Sequence, residues 1–222
     1  MILAAYAVYI KNELKNVDIG MKGVCIMDFG NVSAQPVLNL KKNDVLDLTK
    51  TGSSLKHLIL GAGWDVPDIG ASYDLDIAAF LLGANGRVAN VATDVVFFNS
   101  MQQQGIYLNG DNRTGAGDGD DERIFIDTEA LHPNVERIVF VVTIFEAASK
   151  GQVFGKVKNA YVRLLDQEDG ERVLCQFPLT TDASTDTAVI FCELARSAHG
   201  WDFKAIGEGC QGDLNTLLSR YM

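Results

Sequence analysis

The chain has 222 residues, 47% of them hydrophobic and 22% charged, and its formal net charge is −10. This composition is typical of a folded domain and excludes a chain that is disordered throughout. The negative charge argues against a nucleic-acid partner, because phosphate contacts require clustered Lys and Arg, and the sequence has no such cluster.

Residues 1–35 do not share the pattern of the remaining chain. Their opening run, MILAAYAVYI, is too short to span a bilayer, and no basic residue precedes it as in a signal peptide. We therefore expect a cytoplasmic protein without direct membrane insertion. Residues 1–35 are interpreted as an extension, either one or two added strands or a leader, and residues 36–222 as the folded domain.

From residue 55 onward, short apolar runs rich in β-branched and aromatic residues alternate with turns that contain Gly, Asn or Asp, as strands do. In chain order the predicted strands are 55–64, 75–82, 94–99, 123–128, 135–145, 158–166, 171–177 and 187–194. Helices are few and short, and the clearest is 213–221 at the C-terminus, with Asp213 as its N-cap. Many short strands with few helices indicate an all-β sandwich or barrel.

Two segments of the chain resemble each other. They are YDLDIAAFLLGANGRV (73–88) and KVKNAYVRLLDQEDGERV (156–173). Each consists of a strand, a glycine-containing turn and a second strand, and each follows another apolar strand. Either two hairpins are alike by chance, or the domain has two similar halves related by an approximate two-fold axis.

The four cysteines are widely separated in the sequence. They are Cys25, Cys175, Cys192 and Cys210. No Cys-x-x-Cys pair occurs, so neither a zinc site nor a disulfide framework is expected, and the thiols are predicted to be reduced and mostly buried.

The segment GDNRTGAGDGDDERI, 110–124, places five carboxylates in one glycine-rich turn between two strand-like segments. The acidic residues are Asp111, Asp118, Asp120, Asp121 and Glu122. Two like charges about 4 Å apart repel by about 1 kcal/mol in water and by more near a protein surface. Calcium would relieve this repulsion, since it binds oxygen ligands from carboxylates and carbonyls, whereas zinc would require His or Cys. A merely solvated acidic turn is the alternative.

A second acidic pair, Asp74 and Asp76, lies at the strand predicted for 75–82. Residues two apart on a strand point to the same face, so two carboxylates there need a partner. The metal of the acidic turn is one such partner. The alternative is that one carboxylate caps a turn and the other pairs with an arginine.

Seven segments in this order resemble the tellurium-resistance TerD family. They are GAGWD (61–65), YDLDIAAFLLGANGRV (73–88), DVVFFN (94–99), GDNRTGAGDGDDERIFID (110–127), VERIVFVVTIFEA (135–147), FGKVKNAYVRLLD (154–166) and WDFKAIGEG (201–209). The resemblance covers roughly residues 37–222. One departure is Ala116, where the family usually has an acidic residue.

The resemblance implies a β-sandwich of two antiparallel sheets that binds calcium, commonly as two ions. The ligand set that it implies by position comprises Asp65, Asp74, Asp76, Asp111, Asn112, Asp118, Asp120, Asp121 and Glu122, with backbone carbonyls of Gly115 and Gly117. The internal repeat adds Asn159 as a further candidate.

The resemblance also implies a place in a bacterial tellurite and stress-resistance system. Our first hypothesis is a non-catalytic, calcium-binding module that acts through other proteins of that system. Two alternatives use the same residues. One is a metal-dependent phosphoester hydrolase, in which two divalent ions activate water. The other is a nucleotide-binding protein in which bound calcium holds the phosphate.

Overall fold

The computed structural model describes residues 38–39, 45–46, 56–65, 72–116, 119–198 and 200–222. All of these residues fall within one compact unit, Val37–Met222. The predictions for residues 1–35, and those for Gly117 and Asp118, lie outside the described residues.

Thirteen strands are found in these ranges. In chain order they are β1 (Leu38–Asn39), β2 (Val45–Leu46), β3 (His57–Asp65), β4 (Leu75–Leu82), β5 (Val95–Val96), β6 (Gln102–Gln103), β7 (Ile106–Asn109), β8 (Glu122–Asp127), β9 (Arg137–Ile144), β10 (Lys158–Asp166), β11 (Arg172–Pro178), β12 (Ala188–Ser197) and β13 (Gly200–Cys210). Sheet A has the order β1-β11-β10-β3-β8-β7-β6, and sheet B has the order β2-β13-β12-β9-β4-β5. Neighbouring strands are antiparallel apart from the short parallel pair β1–β11, so the predicted antiparallel sandwich is confirmed.

The described helices are short, as predicted. They are α1 (Val91–Asp94), α2 (Ala147–Lys150), α3 (Leu179–Asp182) and α4 (Leu214–Leu218), with 3₁₀ turns at Phe154–Lys156 and Ser219–Tyr221. The expected C-terminal helix is α4 continued by the last 3₁₀ turn, and Asp213 is its N-cap, accepting a hydrogen bond from the Thr216 N–H (2.8 Å). In the part of the chain that the structure describes, every helix is too short or too polar to cross a membrane.

Strand alternation divides the buried residues into two layers. In β4 the residues Leu75 and Ile77 pack between the sheets, whereas Ala78 and Phe80 belong to a second cluster on the outer face of sheet B, together with Leu217 of α4. Because side chains alternate along a strand, an even-numbered position of β4 faces this outer layer.

The topology has the approximate two-fold relation that the sequence repeat predicts. The chain passes from sheet A to sheet B between β3 and β4, and from sheet B to sheet A between β9 and β10. The order β11-β10-β3-β8 in one sheet corresponds to β5-β4-β9-β12 in the other. The two halves differ in their last hairpin. In the hairpin β7–β8 the first strand, β7, is the outer one, whereas in β12–β13 the second strand, β13, is the outer one.

Two segments differ from the sequence prediction. Residues 97–99 were predicted to extend a strand, but Phe97 and Ser100 exchange backbone hydrogen bonds (3.1 and 2.9 Å) and close a turn. Conversely, residues 200–210 were not predicted as a strand, and they form β13. The signal for β13 is the alternation that buries Trp201 and Phe203 in the core.

Candidate metal centre

The acidic residues of the sequence prediction separate into two groups in the structure. Asp74, Asp76 and Asp111 form what we call the open cluster. Asp65, Asp120 and Asp121 form a second group, the paired acids. The two groups differ in whether the protein itself supplies donors to the carboxylates.

The open cluster brings together residues from two elements. Asp74 and Asp76 lie just before and within β4, and Asp111 lies in the loop that follows β7. One carboxylate oxygen from each of the three lies within 4.8 Å of the others. Alternation places the Asp76 carboxylate on the outer face of sheet B, away from the core between the sheets.

The cluster is electrostatically unfavourable when all three groups are ionised. Burial, followed by repulsion from Asp74 and Asp111, raises the pKa of Asp76 to about 7. Burial and Asp111 also raise the pKa of Asp74. Arg113 contacts Asp111, with Nη2 3.0 Å from Oδ2, but its side chain is 74% exposed and its charge is screened by water.

Glu122 lies close to this cluster although it belongs to β8 of the opposite sheet. Its side chain is buried, and Oε2 accepts a hydrogen bond from the Ile77 N–H (2.9 Å), which joins the two sheets. That N–H is available because β5 pairs with β4 only at Ala79 and Phe80. Burial raises the pKa of Glu122 to about 9, and Asp76, Asp111 and Asp74 add to the shift although the Ile77 hydrogen bond opposes it.

Two oxygens near the cluster lack protein partners. Among the described residues no hydrogen-bond donor reaches Glu122 Oε1 or Asp74 Oδ1, and both atoms are buried. An unpaired buried acceptor costs free energy, so these atoms call for a further ligand or a proton.

Asp120, in contrast, has partners within the protein. Its Oδ1 accepts hydrogen bonds from Arg163 Nε (2.7 Å) and from the Tyr161 hydroxyl (3.1 Å). Arg123 Nε lies 3.3 Å from Oδ2, an ion-pair contact without hydrogen-bond alignment. The side chain packs over Gly61 of β3, where any Cβ would collide with the carboxylate.

Asp121, unlike Asp120, accepts a hydrogen bond on each of its two oxygens. Oδ2 accepts from the Trp64 N–H (2.9 Å), and Oδ1 accepts from the Asn112 side-chain amide (2.7 Å). Asn112 Oδ1 in turn accepts from the backbone N–H groups of Thr114 and Gly115, both at 3.1 Å. These bonds fold the loop onto β3.

The remaining contacts fix the loop against the strand. Asp65 Oδ2 accepts a hydrogen bond from Asn159 Nδ2 (2.6 Å). A Cβ at Gly63 would lie 2.6 Å from the Gly119 carbonyl oxygen, so a residue with a side chain at position 63 would clash with the loop backbone. Gly115 adopts a φ of +69° and packs against Trp64, which explains its place in the loop without a metal.

The structure therefore brings together three of the predicted ligands, Asp74, Asp76 and Asp111, and Glu122 is anchored beside them by its hydrogen bond to the Ile77 N–H. The other described candidates, namely Asp65, Asn112, Gly115, Asp120, Asp121 and Asn159, form a separate hydrogen-bonded network. Sequence reasoning missed Arg163 and Tyr161 as partners of Asp120. Their signal was the period of two in β10, which points both side chains out of the core alongside the loop.

Comparison with known proteins gives consistent results. Residues 37–221 match the TerD domain family. The chain is 41% identical over 187 residues to the tellurium resistance protein TerD of Alcaligenes sp, covering 83% of this chain and 96% of that protein. It is 39% identical over 188 residues to general stress protein 16U of Bacillus subtilis (strain 168), with 83% and 96% covered. The crystal structure of a homologue of telluride resistance protein (TerD) from Streptomyces coelicolor A3(2) is similar in fold, with a TM-score of 0.63, 26% identity, and coverage of 74% of this chain and 96% of that chain.

Proposed function

Since the chain belongs to the TerD domain family, with its tellurium-resistance and general-stress members, we propose that it is a calcium-binding, non-catalytic module of a bacterial tellurite and stress-resistance system. The observation that carries the proposal is the open cluster: three carboxylates with oxygens within 4.8 Å of one another, without a buried cation from the protein among the described residues.

The geometry of the open cluster is compatible with one calcium ion. Ligand oxygens lie about 2.3–2.6 Å from calcium, so two ligands of one ion are at most about 5.2 Å apart. The three oxygens, within 4.8 Å of one another, satisfy that limit. Asp74 Oδ1 is buried without a hydrogen-bond donor and is available to the ion. Glu122 lies outside the 4.8 Å group, and it would join the shell by turning its unpartnered Oε1 towards the ion when it loses its proton.

The donor set favours calcium over other divalent ions. The described ligands are all carboxylates, which suit calcium and magnesium rather than zinc or copper. Calcium tolerates six to eight oxygens in irregular arrangements, whereas magnesium prefers a strict octahedron and retains its waters. The crowded cluster, with ligands from two elements, fits the more tolerant ion.

The paired acids differ from the open cluster in what a second ion would have to displace. Asp120, Asp121 and Asp65 already accept hydrogen bonds from Arg163, Asn112, Trp64 and Asn159. A second calcium there would have to replace these donors. Two ions thus remain the prediction from the resemblance, and the open cluster is the site that we propose as the first.

Neither alternative function gains support from the charges near the open cluster. A phosphoester hydrolase requires a cationic clamp, but Arg113 pairs with Asp111, while Arg123 and Arg163 pair with Asp120. A phosphate carried by a nucleotide would meet the same excess of carboxylates. A screen with phosphodiesters and nucleotides in calcium, magnesium and manganese tests both, and turnover that is lost in Arg113→Gln would favour the hydrolase.

Calcium in the open cluster would connect the two sheets. Asp111 follows a strand of sheet A, whereas Asp74 and Asp76 lie just before and within β4 of sheet B. The ion would therefore fix the 110–116 loop against β4. We propose that the ordered loop presents a surface to other proteins of the resistance system, in the cytoplasm.

The test combines calorimetric titration with thermal unfolding of protein stripped of metal by EGTA. Binding to the folded state stabilises it by about 2.7 kcal/mol at a calcium concentration one hundred times Kd, which is about 5–10 °C for a domain of this size. The variant Asp76→Asn with Asp111→Asn should lose both the heat of binding and the rise in Tm. Asp169→Asn, an exposed acid paired with Arg172 in a distant turn, is the matched control and should retain both. A wild-type protein whose Tm does not change in saturating calcium would overturn the proposal.

A further inference from the structure

A cavity of about 850 Å³ lies on the outer face of sheet B, beside the open cluster. Its floor includes Asp76 and Thr143, which are cross-strand neighbours on β4 and β9. Its walls are the turn after β5, the segment around α2 and the beginning of α4. The volume is within the range of small-molecule sites, about 300–1,000 Å³.

One side of the cavity is aromatic. The rings of Phe97 and Phe98 pack edge to face with centroids 5.3 Å apart, and those of Phe98 and Phe145 do the same at 5.8 Å. Phe145 is 39% exposed. Rings in this arrangement offer apolar area to a ligand and also attract cations placed over their faces.

The charged side chains that line the cavity are all acidic. They are Asp76, Glu146 and Asp213, and no Lys or Arg of the described chain joins them. Asp213 is occupied in capping α4. Asp76 is only 6% exposed, and Arg113 and Lys150 offset only part of the repulsion that Asp74 and Asp111 exert on it. A mostly buried carboxylate with surplus negative charge around it favours a cationic ligand and disfavours a phosphate or a carboxylate.

The protein itself places an ammonium group at the rim of this cavity. Lys150 Nζ lies 5.3 Å from the centroid of the Phe145 ring and 3.5 Å from Glu146 Oε2. An aromatic ring and a carboxylate thus already hold one ammonium there. The same two kinds of group, a carboxylate (Asp76) and phenylalanine rings (Phe97 and Phe98), line the interior of the cavity.

We propose that this cavity binds a small organic cation, a primary ammonium attached to an apolar or aromatic group. The ammonium contacts Asp76, and the apolar group packs against Phe97, Phe98 and Phe145. The cavity shares Asp76 with the open cluster, so a calcium ion and the ammonium would compete for that carboxylate, whereas the apolar group would contact only the cavity.

The probe is phenethylamine, titrated at pH 8 into ¹⁵N-labelled full-length protein in EGTA. Saturable shifts are expected at the amides of Asn99, Gly212 and Asn215, which line the cavity. Two analogues of the same shape are the controls: phenethyl alcohol, which is neutral, and 3-phenylpropionate, which is anionic. The alcohol should bind at least about tenfold more weakly than the amine, equivalent to about 1.4 kcal/mol, and the carboxylate should not saturate.

Two variants assign the contacts. Asp76→Asn should weaken the amine about tenfold and leave the affinity for the alcohol unchanged, a difference that a folding defect would not produce. Phe98→Leu should weaken both ligands, whereas Phe125→Leu, whose ring stacks on Tyr107 in sheet A, should weaken neither. Equal affinity for amine and alcohol, or shifts centred elsewhere, would overturn the proposal. Because EGTA is present throughout, that failure would leave the calcium proposal intact.

Discussion

The open cluster and the paired acids each contain three aspartates, but the protein supplies positive partners mainly to the paired acids. The carboxylate of Asp120 is buried, with a side chain that is 2% exposed, and it is neutralised by Arg163 and Arg123. Asp76 is 6% exposed and has no comparable partner among the described residues. The number of acids in a loop therefore does not single out a candidate metal site. A better criterion is a set of carboxylates for which the protein supplies too few donors.

In the metal-free protein, a negative charge therefore has opposite effects on stability in the two groups. Ionising Asp76 costs stability, because burial and two neighbouring carboxylates oppose its charge. Removing the charge of Asp120 also costs stability, because it leaves its arginine partners without a counterion. Measurements that change one charge at a time can therefore separate the two groups.

The largest expected change in the free energy of unfolding is its dependence on pH. Asp76 and Glu122, with folded pKa values of about 7 and about 9, hold protons that the unfolded chain releases near pH 4. The folded state thus binds more protons between about pH 4 and 9, so the free energy of unfolding should fall as pH rises through that window, by on the order of a few kcal/mol. Urea unfolding in EGTA between pH 5 and pH 9 measures this.

Calcium should reverse that trend, because the ion binds the deprotonated carboxylates. In saturating calcium the free energy of unfolding should be flat or should rise over the same range. The double variant Asp76→Asn with Glu122→Gln should be flatter than the wild type in EGTA. A wild-type protein that becomes more stable towards pH 9 without metal would contradict the account of the open cluster.

The second effect concerns the paired acids. Asp120→Ala removes a nearly buried carboxylate from Arg163 and Tyr161, and it should lower the free energy of unfolding by roughly 2–3 kcal/mol, because a partly buried arginine is left unpaired. The loss should be the same in EGTA and in calcium. A loss confined to calcium-loaded protein would show that Asp120 is a metal ligand after all, as the sequence predicted.

In the open cluster, removing a charge is expected to stabilise the metal-free protein, by less than the loss expected for Asp120→Ala. Asp76→Asn removes the repulsion with Asp74 and Asp111, and it should raise the free energy of unfolding in EGTA at pH 8 by about 1 kcal/mol. The same variant should bind calcium more weakly. If it destabilised the metal-free protein, the Asp76 carboxylate would have a favourable partner, and the open cluster would not differ from the paired acids.

Much of the fold follows from patterns in the sequence. The strands at 75–82 and 158–166 were predicted with their observed bounds, because apolar and β-branched residues fill them and turn residues flank them. The segment 200–210 was missed because Gly207 and Gly209 interrupt it, although Trp201, Phe203 and Ala205 alternate inward. The two glycines argue against a strand, and the alternation of buried residues is too short to overrule them. Pairing with β12 is what makes this segment a strand.

The site was predictable only in part, for a physical reason. Two acids at 74 and 76 must share a face of a strand, so their proximity follows from the sequence. The division between open and paired acids does not, because Arg163 and Asp120 are 43 residues apart and meet only when β10 lies beside β3. The Glu122–Ile77 hydrogen bond likewise joins two different sheets. Counterions supplied by distant strands decide which acids are paired within the protein and which are left as candidate ligands.

The smallest expected effect would decide what Glu122 contributes. At pH 7 this carboxyl is protonated in the folded protein, since its pKa is raised to about 9. Glu122→Gln preserves its shape and can keep the acceptor for the Ile77 N–H, so stability in EGTA at pH 7 should change by less than about 0.5 kcal/mol. Calcium affinity should nevertheless fall, and its rise between pH 7 and pH 9 should be less steep, because one proton fewer is released on binding. If Glu122→Gln bound calcium with wild-type affinity and the same pH dependence, Glu122 would serve only to join the sheets, and Asp74, Asp76 and Asp111 would hold the ion with water alone.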